Sequence, residues 1–144
     1  MLESFNFYLK RGKVVKQNIS PATVKSLFVK AEKRLDYIKR QKINEQNTDF
    51  IFEDVYEAMR EAAQSLLAKA GYKPYSHEAL IAFIKEKYPQ FNPREIEKFD
   101  EYRKTRNQLV YYAESTSVEK TKEALELLEK ILAKIEAILK EDRK

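Results

Sequence analysis

The chain has 144 residues, of which 43% are apolar and 35% are charged, and its formal net charge is +5. This length suits one domain with its own core, and the composition is too apolar for a disordered chain and too charged for a membrane protein. The absence of cysteine excludes disulfides, thiolate metal sites and cysteine nucleophiles.

Residues 1–19 are predicted to form a segment that docks on a bundle made by residues 20–144. Apolar side chains that suit a short helix lie at Leu2, Phe5, Phe7 and Leu9, and the run Lys10-Arg11-Gly12-Lys13 ends it. The start of the chain lacks the apolar stretch and cleavage site of a secretory signal, and no apolar run approaches the roughly 18 residues of a membrane span. We therefore expect a cytoplasmic protein without a membrane partner.

Positive charge is concentrated in the first 42 residues, which hold eleven Lys or Arg and three acidic residues and so carry +8. The remaining 102 residues carry −3. A basic end attracts polyanions through steering and counterion release, whereas a solvated helix face explains the same residues without a partner. The many Lys and Glu residues, with only two glycines, are typical of a heat-adapted (thermophile) protein.

The first long helix is predicted to begin at Ser20-Pro21, because serine caps a helix and proline suits its first position. Apolar residues at helical spacing continue it toward Asn44: Val24, Leu27, Phe28, Ala31, Leu35 and Ile38. Asn47 and Thr48 can cap a second helix, which ends at Gly71 because glycine tolerates the left-handed conformation. Residues 72–74 are then predicted to be a loop.

Three more helices are predicted before the end of the chain. Ser76 can cap a short one that Pro89 helps to end, and Asn92-Pro93-Arg94-Glu95 has the cap, proline and glutamate of a helix start. Thr116 with Glu119 forms another capping box, and the Leu/Ile stripe that follows suits either a core-facing helix or a dimer seam. No β-hairpin signal is present, so we expect an all-α, up-and-down antiparallel bundle of four to five helices.

Most catalytic templates are excluded by the residue content. His77 is the only histidine, so a histidine-based metal site lacks partners. Two glycines cannot build a phosphate loop or a dinucleotide-binding fingerprint. We therefore expect no metal and no cofactor, and any chemistry must use Arg, Lys, Tyr, His77 or carboxylates.

Arg106 occupies the middle of an apolar stripe. An ideal helix places it within about 40° of Phe99, Tyr102, Val110 and Ala113. Arg103 lies on its flank, and Asn107 follows it. Because a buried guanidinium without partners is costly, Arg106 either pairs with a carboxylate such as Glu57 or Glu61, or forms an anion site that binds phosphate with its planar fork.

Three further side chains are candidates for the same site. Tyr111 and Tyr112 can stack on nucleobases or donate to phosphates, although a tyrosine at a helix end commonly belongs to the core with its hydroxyl in water. His77, at a helix start, is either a capping or surface residue or a group for proton transfer and phosphate contact.

Three segments occur together in a recognisable order and spacing: ISPATVKSLFVKAEKRLDYI, DVYEAMREAAQSLLAKAGYKPYSHEALIAFI and EYRKTRNQLVYYAE. Across roughly residues 19–140 this pattern resembles the HEPN superfamily (higher eukaryotes and prokaryotes nucleotide-binding domain). The resemblance implies a bundle of four to five helices that dimerises, with RNA-related or nucleotide-related work.

Many members of this superfamily are metal-independent ribonucleases, often toxins paired with a small nucleotidyltransferase antitoxin, and carry an Arg followed by a His after four to six residues. The resemblance assigns that Arg to Arg106 and the polar residue after it to Asn107. Tyr111 stands at the position of the His, with Tyr112 next to it. On an ideal helix neither tyrosine shares the face of Arg106, and tyrosine is a poor general base at neutral pH. The nuclease motif is therefore degenerate.

Three functions fit these observations. We favour a homodimeric module that binds RNA, a nucleotide or a nucleotidyltransferase without catalysis. Its expected RNA or nucleotide contacts are Arg103, Arg106, Asn107 and Tyr112. The alternative is an active metal-independent ribonuclease toxin with Arg106, Tyr111 and His77 as catalytic residues. The third is a helical oligomerisation protein without a nucleic-acid role.

Overall fold

The computed structural model describes residues 2–141, and most of these residues are helical. The elements are α1 (Phe5–Lys10), β1 (Val14–Lys16), α2 (Pro21–Lys39), α3 (Thr48–Lys69), β2 (Tyr72–Pro74), α4 (His77–Lys87), α5 (Pro93–Tyr112) and α6 (Val118–Glu141). The predicted all-α class is confirmed. Residue 1 and residues 142–144, the outer ends of the two predicted segments, lie outside the described residues.

Local capping signals set the start of three helices. The Ser20 hydroxyl accepts a hydrogen bond at the start of α2, where Pro21 takes the first helical position. Ser76 caps α4 in the same way. At the start of α5 the Asn92 side chain accepts from the Glu95 N–H, and the Glu95 carboxylate accepts from the Asn92 N–H. These starts agree with the sequence because each depends on residues within one helical turn.

The start of α6 differs from the prediction by one residue. Ser117, rather than Thr116, accepts the hydrogen bond from the N–H of Lys120. The N–H of Thr116 instead donates to Oδ1 of Asp49, at 2.8 Å. Asp49 on α3 therefore holds the connection between α5 and α6, and Ser117 takes the capping position.

Ring contacts and polar pairs give the directions of α3, α5 and α6 relative to one another. Between α3 and α5 the ring pairs are Phe52 with Tyr102 and Tyr56 with Phe99. Between α5 and α6 the polar pairs are Glu95 with Lys134 and Tyr102 with Glu123. In both cases the contacts move backward along one helix as they move forward along the other, so α5 is antiparallel to α3 and to α6, and α3 and α6 run in the same direction.

The core surrounds α3, which contacts α2, α4, α5 and α6. The apolar stripe of α6, including Leu128, Ile131 and Ile135, is buried within the chain. Of the two interpretations of this stripe, the core-facing helix is therefore the one observed. No helix within residues 2–141 has the length and apolar character that a membrane span requires.

Two polar contacts hold α3 to its neighbours from inside the bundle. The hydroxyls of Thr48 and Thr121 lie 2.7 Å apart between α3 and α6. Nε of Arg34 on α2 donates to Oε1 of Glu61 at 2.8 Å, and Glu61 is only 3% exposed. Both contacts supply partners to groups that would otherwise be buried without them.

A small antiparallel sheet was not predicted. β1 pairs with β2 in the register Val14 with Pro74, Val15 with Lys73, and Lys16 with Tyr72. The prediction of a loop at residues 72–74 was therefore wrong. A short-range hairpin signal could not show this pairing because each strand has three residues and the two are far apart in sequence.

α1 lies against α4 and β2. The ring of Phe5 makes edge contacts with Tyr72 and Phe83. The backbone N–H of Phe5 donates to the carboxylate of Glu86 at 2.7 Å. On the next turn the hydroxyl of Tyr8, which is buried, accepts from a backbone N–H. These contacts place β1 beside β2 and fix the first residues on the bundle.

Candidate functional site

Arg106 lies where the buried face of α5 gives way to solvent. One and two turns earlier, Tyr102 and Phe99 are fully buried, whereas Val110 one turn later is 43% exposed and Ala113 is also exposed. Arg106 itself is half-buried. The apolar stripe seen in the sequence is therefore interrupted at the arginine, and the guanidinium reaches the surface.

The contacts of Arg106 within α5 are polar and aromatic. Its Nη1 donates to Oδ1 of Asn107 at 3.2 Å and to the Tyr111 hydroxyl at 3.5 Å. The guanidinium carbon is 5.6 Å from the centre of the Tyr111 ring, within range of a cation–π interaction. The two side chains meet although their backbone positions lie on different faces, because both are long enough to reach across.

Neither carboxylate expected to neutralise Arg106 does so. Glu61 pairs with Arg34, and Glu57 forms a two-point ion pair with Arg60. Within residues 2–141, Arg106 forms no salt bridge. The interpretation of Arg106 as half of a structural ion pair with one of these acids is therefore wrong, and its charge stays available.

Arg103 has a different environment. Its Nε donates to Oδ1 of Asp100 at 2.8 Å, its Nη1 lies 3.8 Å from a carboxylate oxygen of Glu78, and its side chain is only 13% exposed. Glu53 on α3 feels the charge of Arg106 at longer range: burial raises the pKa of this carboxyl, and Arg106 opposes the rise. Arg103 is thus paired with acids of its own chain, whereas Arg106 only lowers the pKa of Glu53 through its charge.

His77 is the first residue of α4 and is held by Tyr56. Its Nδ1 lies 2.9 Å from the Tyr56 hydroxyl, and the two rings are stacked with 16° between their planes. Burial lowers the pKa of His77 to about 4, and the charges of Arg106 and Arg60 add to this effect while Glu57 opposes it. The imidazole is therefore neutral at neutral pH.

A cavity of about 160 Å³ lies beside His77, between α3 and the residues around β2. Arg60, Gln64 and Tyr75 share its wall with the imidazole. Arg60 Nη1 donates to Oε1 of Gln64 at 2.7 Å, which holds the guanidinium along this wall. Sequence reasoning missed Arg60 and Tyr56, because a helical Arg or Tyr gives no local signal of the residues it meets across the fold.

Exposed rings occupy one end of the bundle. Tyr111 and Tyr112 are 67% and 75% exposed, so the interpretation of these tyrosines as core residues was wrong. The bond from Thr116 to Asp49 brings the start of α3 to the same end. We call the exposed side chains there the aromatic end patch: Phe50, Val110, Tyr111 and Tyr112.

The predicted site residues thus fall into four positions. Arg106, Asn107 and Tyr111 are in contact, and His77 is joined to them by charge. Arg103 is paired with acids of its own chain, and Tyr112 belongs to the exposed end. Such an array can bind an anion, since the Arg106 guanidinium has free donors and forms no salt bridge within residues 2–141. Among residues 2–141 no three His, Cys, Asp or Glu side chains are grouped as metal ligands would be.

Comparison with known proteins agrees with the helical fold. The sequence matches the model of the HEPN domain family over residues 24–138, which is most of the chain. No curated protein and no solved structure gives a significant match. α1 and β1 lie outside the match, whereas Arg106, Asn107, Tyr111 and His77 lie inside it. The chain therefore belongs to the HEPN domain family, and this membership supports a nucleotide-related or RNA-related role.

Proposed function

We propose that the protein is a homodimeric RNA-binding module in which Arg106 holds a phosphate group. The observation that carries this proposal is the half-buried Arg106, whose guanidinium forms no salt bridge within residues 2–141. A planar guanidinium can donate two parallel hydrogen bonds to phosphate oxygens. The amide of Asn107 and the ring of Tyr111 flank it and can contact the sugar or base.

The chemistry of His77 favours binding over cleavage. Metal-free cleavage of RNA needs a base for the ribose 2′-hydroxyl and an acid for the leaving oxygen, each with a pKa near the working pH. Burial and the neighbouring arginines hold the pKa of His77 at about 4, so at neutral pH it has no proton to give as an imidazolium. Its Nδ1 is also occupied by Tyr56.

Binding of a fluorescently labelled single-stranded RNA, measured by anisotropy in EDTA, tests the proposal. We expect Arg106→Ala to weaken binding about tenfold or more, which is the loss expected for a charge-assisted contact. Arg94→Ala is the matched control, since Arg94 is exposed on the same helix about 18 Å away along its axis. Equal affinities for Arg106→Ala and the unchanged protein would refute the role of Arg106.

The aromatic end patch supports the homodimer. Exposed apolar and aromatic side chains gathered at one end of a fold are common at protein interfaces. A second copy seated on this patch would cover Phe50 and Val110 and bring the two Arg106 side chains toward one another. Light scattering after size exclusion should give the mass of a dimer, and Val110→Glu should give that of a monomer. A dimer that persists in this variant would place the interface elsewhere.

A small nucleotidyltransferase is the protein partner that the family resemblance implies. Co-expression with such a protein encoded beside this gene, followed by affinity purification, tests for a complex. The same experiment with Val110→Glu shows whether the partner uses the aromatic end patch.

The second candidate function is a metal-independent ribonuclease. It is favoured by one observation, that Arg106 is the strongest charge acting on the only histidine. Incubation of RNA with the purified protein in EDTA distinguishes the two candidates. Our proposal predicts no cleavage, whereas cleavage that is lost in both Arg106→Ala and His77→Ala would establish the ribonuclease.

A further inference from the structure

The β1–β2 sheet presents a basic face with one aromatic ring. Side chains alternate along a strand, so the register that pairs Val15 with Lys73 puts both on one face. The N–H of Tyr75 donates to the carbonyl of Lys13 at 2.8 Å, which continues the pairing by one step and puts these two residues on the same face. We call this face the ribbon face; its members are Lys13, Val15, Lys73 and Tyr75.

The polar residues of the ribbon face are open to solvent. Lys13 and Lys73 are exposed, and Tyr75 is 62% exposed. Nζ of Lys73 lies 5.5 Å from the centre of the Tyr75 ring. Within residues 2–141 neither lysine forms a salt bridge, so both charges are available to an anion. Alternation of exposed cations with an exposed ring is the pattern by which proteins hold single-stranded nucleic acids.

Tyr75 connects the ribbon face to the cavity beside His77. Tyr75 forms part of the wall of the cavity that also contains Arg60 and His77, and only Ser76 separates Tyr75 from His77 in the chain. The charge of Arg106 acts on that same histidine. A strand of RNA that contacts Tyr75 therefore passes the wall of the cavity that Arg60 and His77 also line.

We propose that the ribbon face is a second RNA-binding site, specific for single strands, in which one base stacks on Tyr75 while Lys13 and Lys73 contact the phosphates on either side. The inference rests on the proposed RNA-binding function and adds the part of the substrate that this end of the molecule recognises. A base within a duplex is already stacked on both sides, so only an unpaired base can use the ring. Lys13 and Val15 lie outside the family match over residues 24–138, whereas Lys73 and Tyr75 lie inside it.

Stacking is tested with Tyr75→Ala and Tyr75→Phe in the same anisotropy assay. We expect Tyr75→Ala to weaken binding of single-stranded RNA about tenfold, and Tyr75→Phe to bind nearly as well as the unchanged protein because the ring remains. Tyr37→Ala is the matched control, since Tyr37 is 56% exposed on α2. Unchanged affinity in Tyr75→Ala, or an equal loss in Tyr75→Phe, would overturn the stacking role.

The phosphate contacts are tested by the salt dependence of binding. For single strands each phosphate contact adds about 0.7 to the slope of log affinity against log salt concentration. Lys13→Gln and Lys73→Gln should each reduce the slope by about this amount, whereas Lys122→Gln, exposed on α6, should not. Slopes that stay unchanged in both ribbon variants would overturn the assignment of these lysines.

Two further comparisons separate this inference from the proposed function. Inorganic polyphosphate has no bases, so Tyr75→Ala should bind it as the unchanged protein does, and a loss there would show that the variant acts other than through stacking. If the unchanged protein binds no RNA, the proposed function fails as well. If Arg106→Ala weakens binding but the substitutions at Lys13, Lys73 and Tyr75 do not, only the RNA-binding role of the ribbon face is refuted.

Discussion

The hydroxyl of Tyr56 lies 2.9 Å from Nδ1 of His77, and the two rings are stacked. This contact holds the only histidine in one orientation at the start of α4. Burial, with the charges of Arg106 and Arg60, lowers the pKa of the imidazole to about 4. Tyr56 is itself buried, which raises the pKa of its hydroxyl. The pair therefore stays neutral over the physiological range and leaves the positive charge of the site to the arginines.

The first prediction concerns the protonation of His77. A chain with one histidine gives a single imidazole signal, so nitrogen NMR across a pH titration can follow it without overlap. We expect a pKa of about 4, and Arg106→Gln should raise it because one nearby positive charge is removed. Arg94→Gln, at the far end of the same helix, should leave it unchanged. A value near 6.5 in the unchanged protein would show that the ring is not held as described.

The second prediction concerns stability in acid. The pKa of His77 falls from its ordinary 6.5 to about 4 on folding, so between these values the unfolded chain binds more protons. The contribution of His77 to stability is therefore complete above about pH 6.5 and is lost as the pH falls toward 4. Because the ring is partly exposed and screened by water, we expect a loss of about 1–2 kcal/mol.

Urea unfolding at several pH values measures this loss. The His77→Gln variant has no imidazole at position 77, so its free energy of unfolding should fall less over the same pH range. Parallel curves for the two proteins would contradict the prediction.

The third prediction concerns the ion pair between α2 and α3. Arg34→Met leaves the buried Glu61 with only Lys30, whose Nζ is 3.7 Å away and which is largely exposed. We expect a loss of about 2–4 kcal/mol in the free energy of unfolding, since a buried charge is left poorly paired. Adding Glu61→Leu should restore most of the stability, and chemical denaturation of the single and double variants tests both statements.

The fourth prediction concerns the buried hydroxyls of Thr48 and Thr121. Thr121→Val keeps the shape of the side chain but removes the partner that lies 2.7 Å from the Thr48 hydroxyl. We expect a loss of about 1–2 kcal/mol in the free energy of unfolding. Combining Thr121→Val with Thr48→Val should cost less than the sum of the two single changes, because both disrupt one contact. Additive losses would show that the hydroxyls act independently.

The fifth prediction uses the position at which the family resemblance expects a histidine. The Tyr111 hydroxyl lies 3.5 Å from Nη1 of Arg106, so position 111 lies beside the guanidinium that is proposed to hold the phosphate. We expect Tyr111→His to introduce RNA cleavage in EDTA, and a further Arg106→Ala change to abolish it. If Tyr111→His binds RNA without cleaving it, proton transfer at this position does not suffice for activity.

Much of the fold could be predicted because its signals are local. Ser20-Pro21 and the Asn92–Glu95 box determine helix starts through atoms within one turn, and the observed starts agree. The start of α6 shifted because Asp49, far away in the sequence, takes the N–H of Thr116. β1 and β2 were missed because neither is long enough to show a pattern and neither has its partner nearby in the sequence.

The residues of the candidate site also separate into those that local patterns indicate and those that depend on distant contacts. Arg106, Asn107 and Tyr111 lie within six residues. The helical pattern pointed to Arg106, and the family resemblance pointed to all three. Their roles in RNA binding stay predictions. Arg60 and Tyr75 could not be predicted, because what matters is their position beside His77, and the packing of α3, α4 and the sheet creates that position.

The pairing of β1 with β2 has a consequence for the order of folding. Closing a long stretch of chain costs entropy before any contact compensates for it, so a three-residue strand whose partner lies beyond two helices joins late. We therefore expect β1 to be among the last of the described elements to reach its place. A ligand that bridges both strands would slow their separation, and hydrogen exchange at the amides of residues 14–16 would report its arrival.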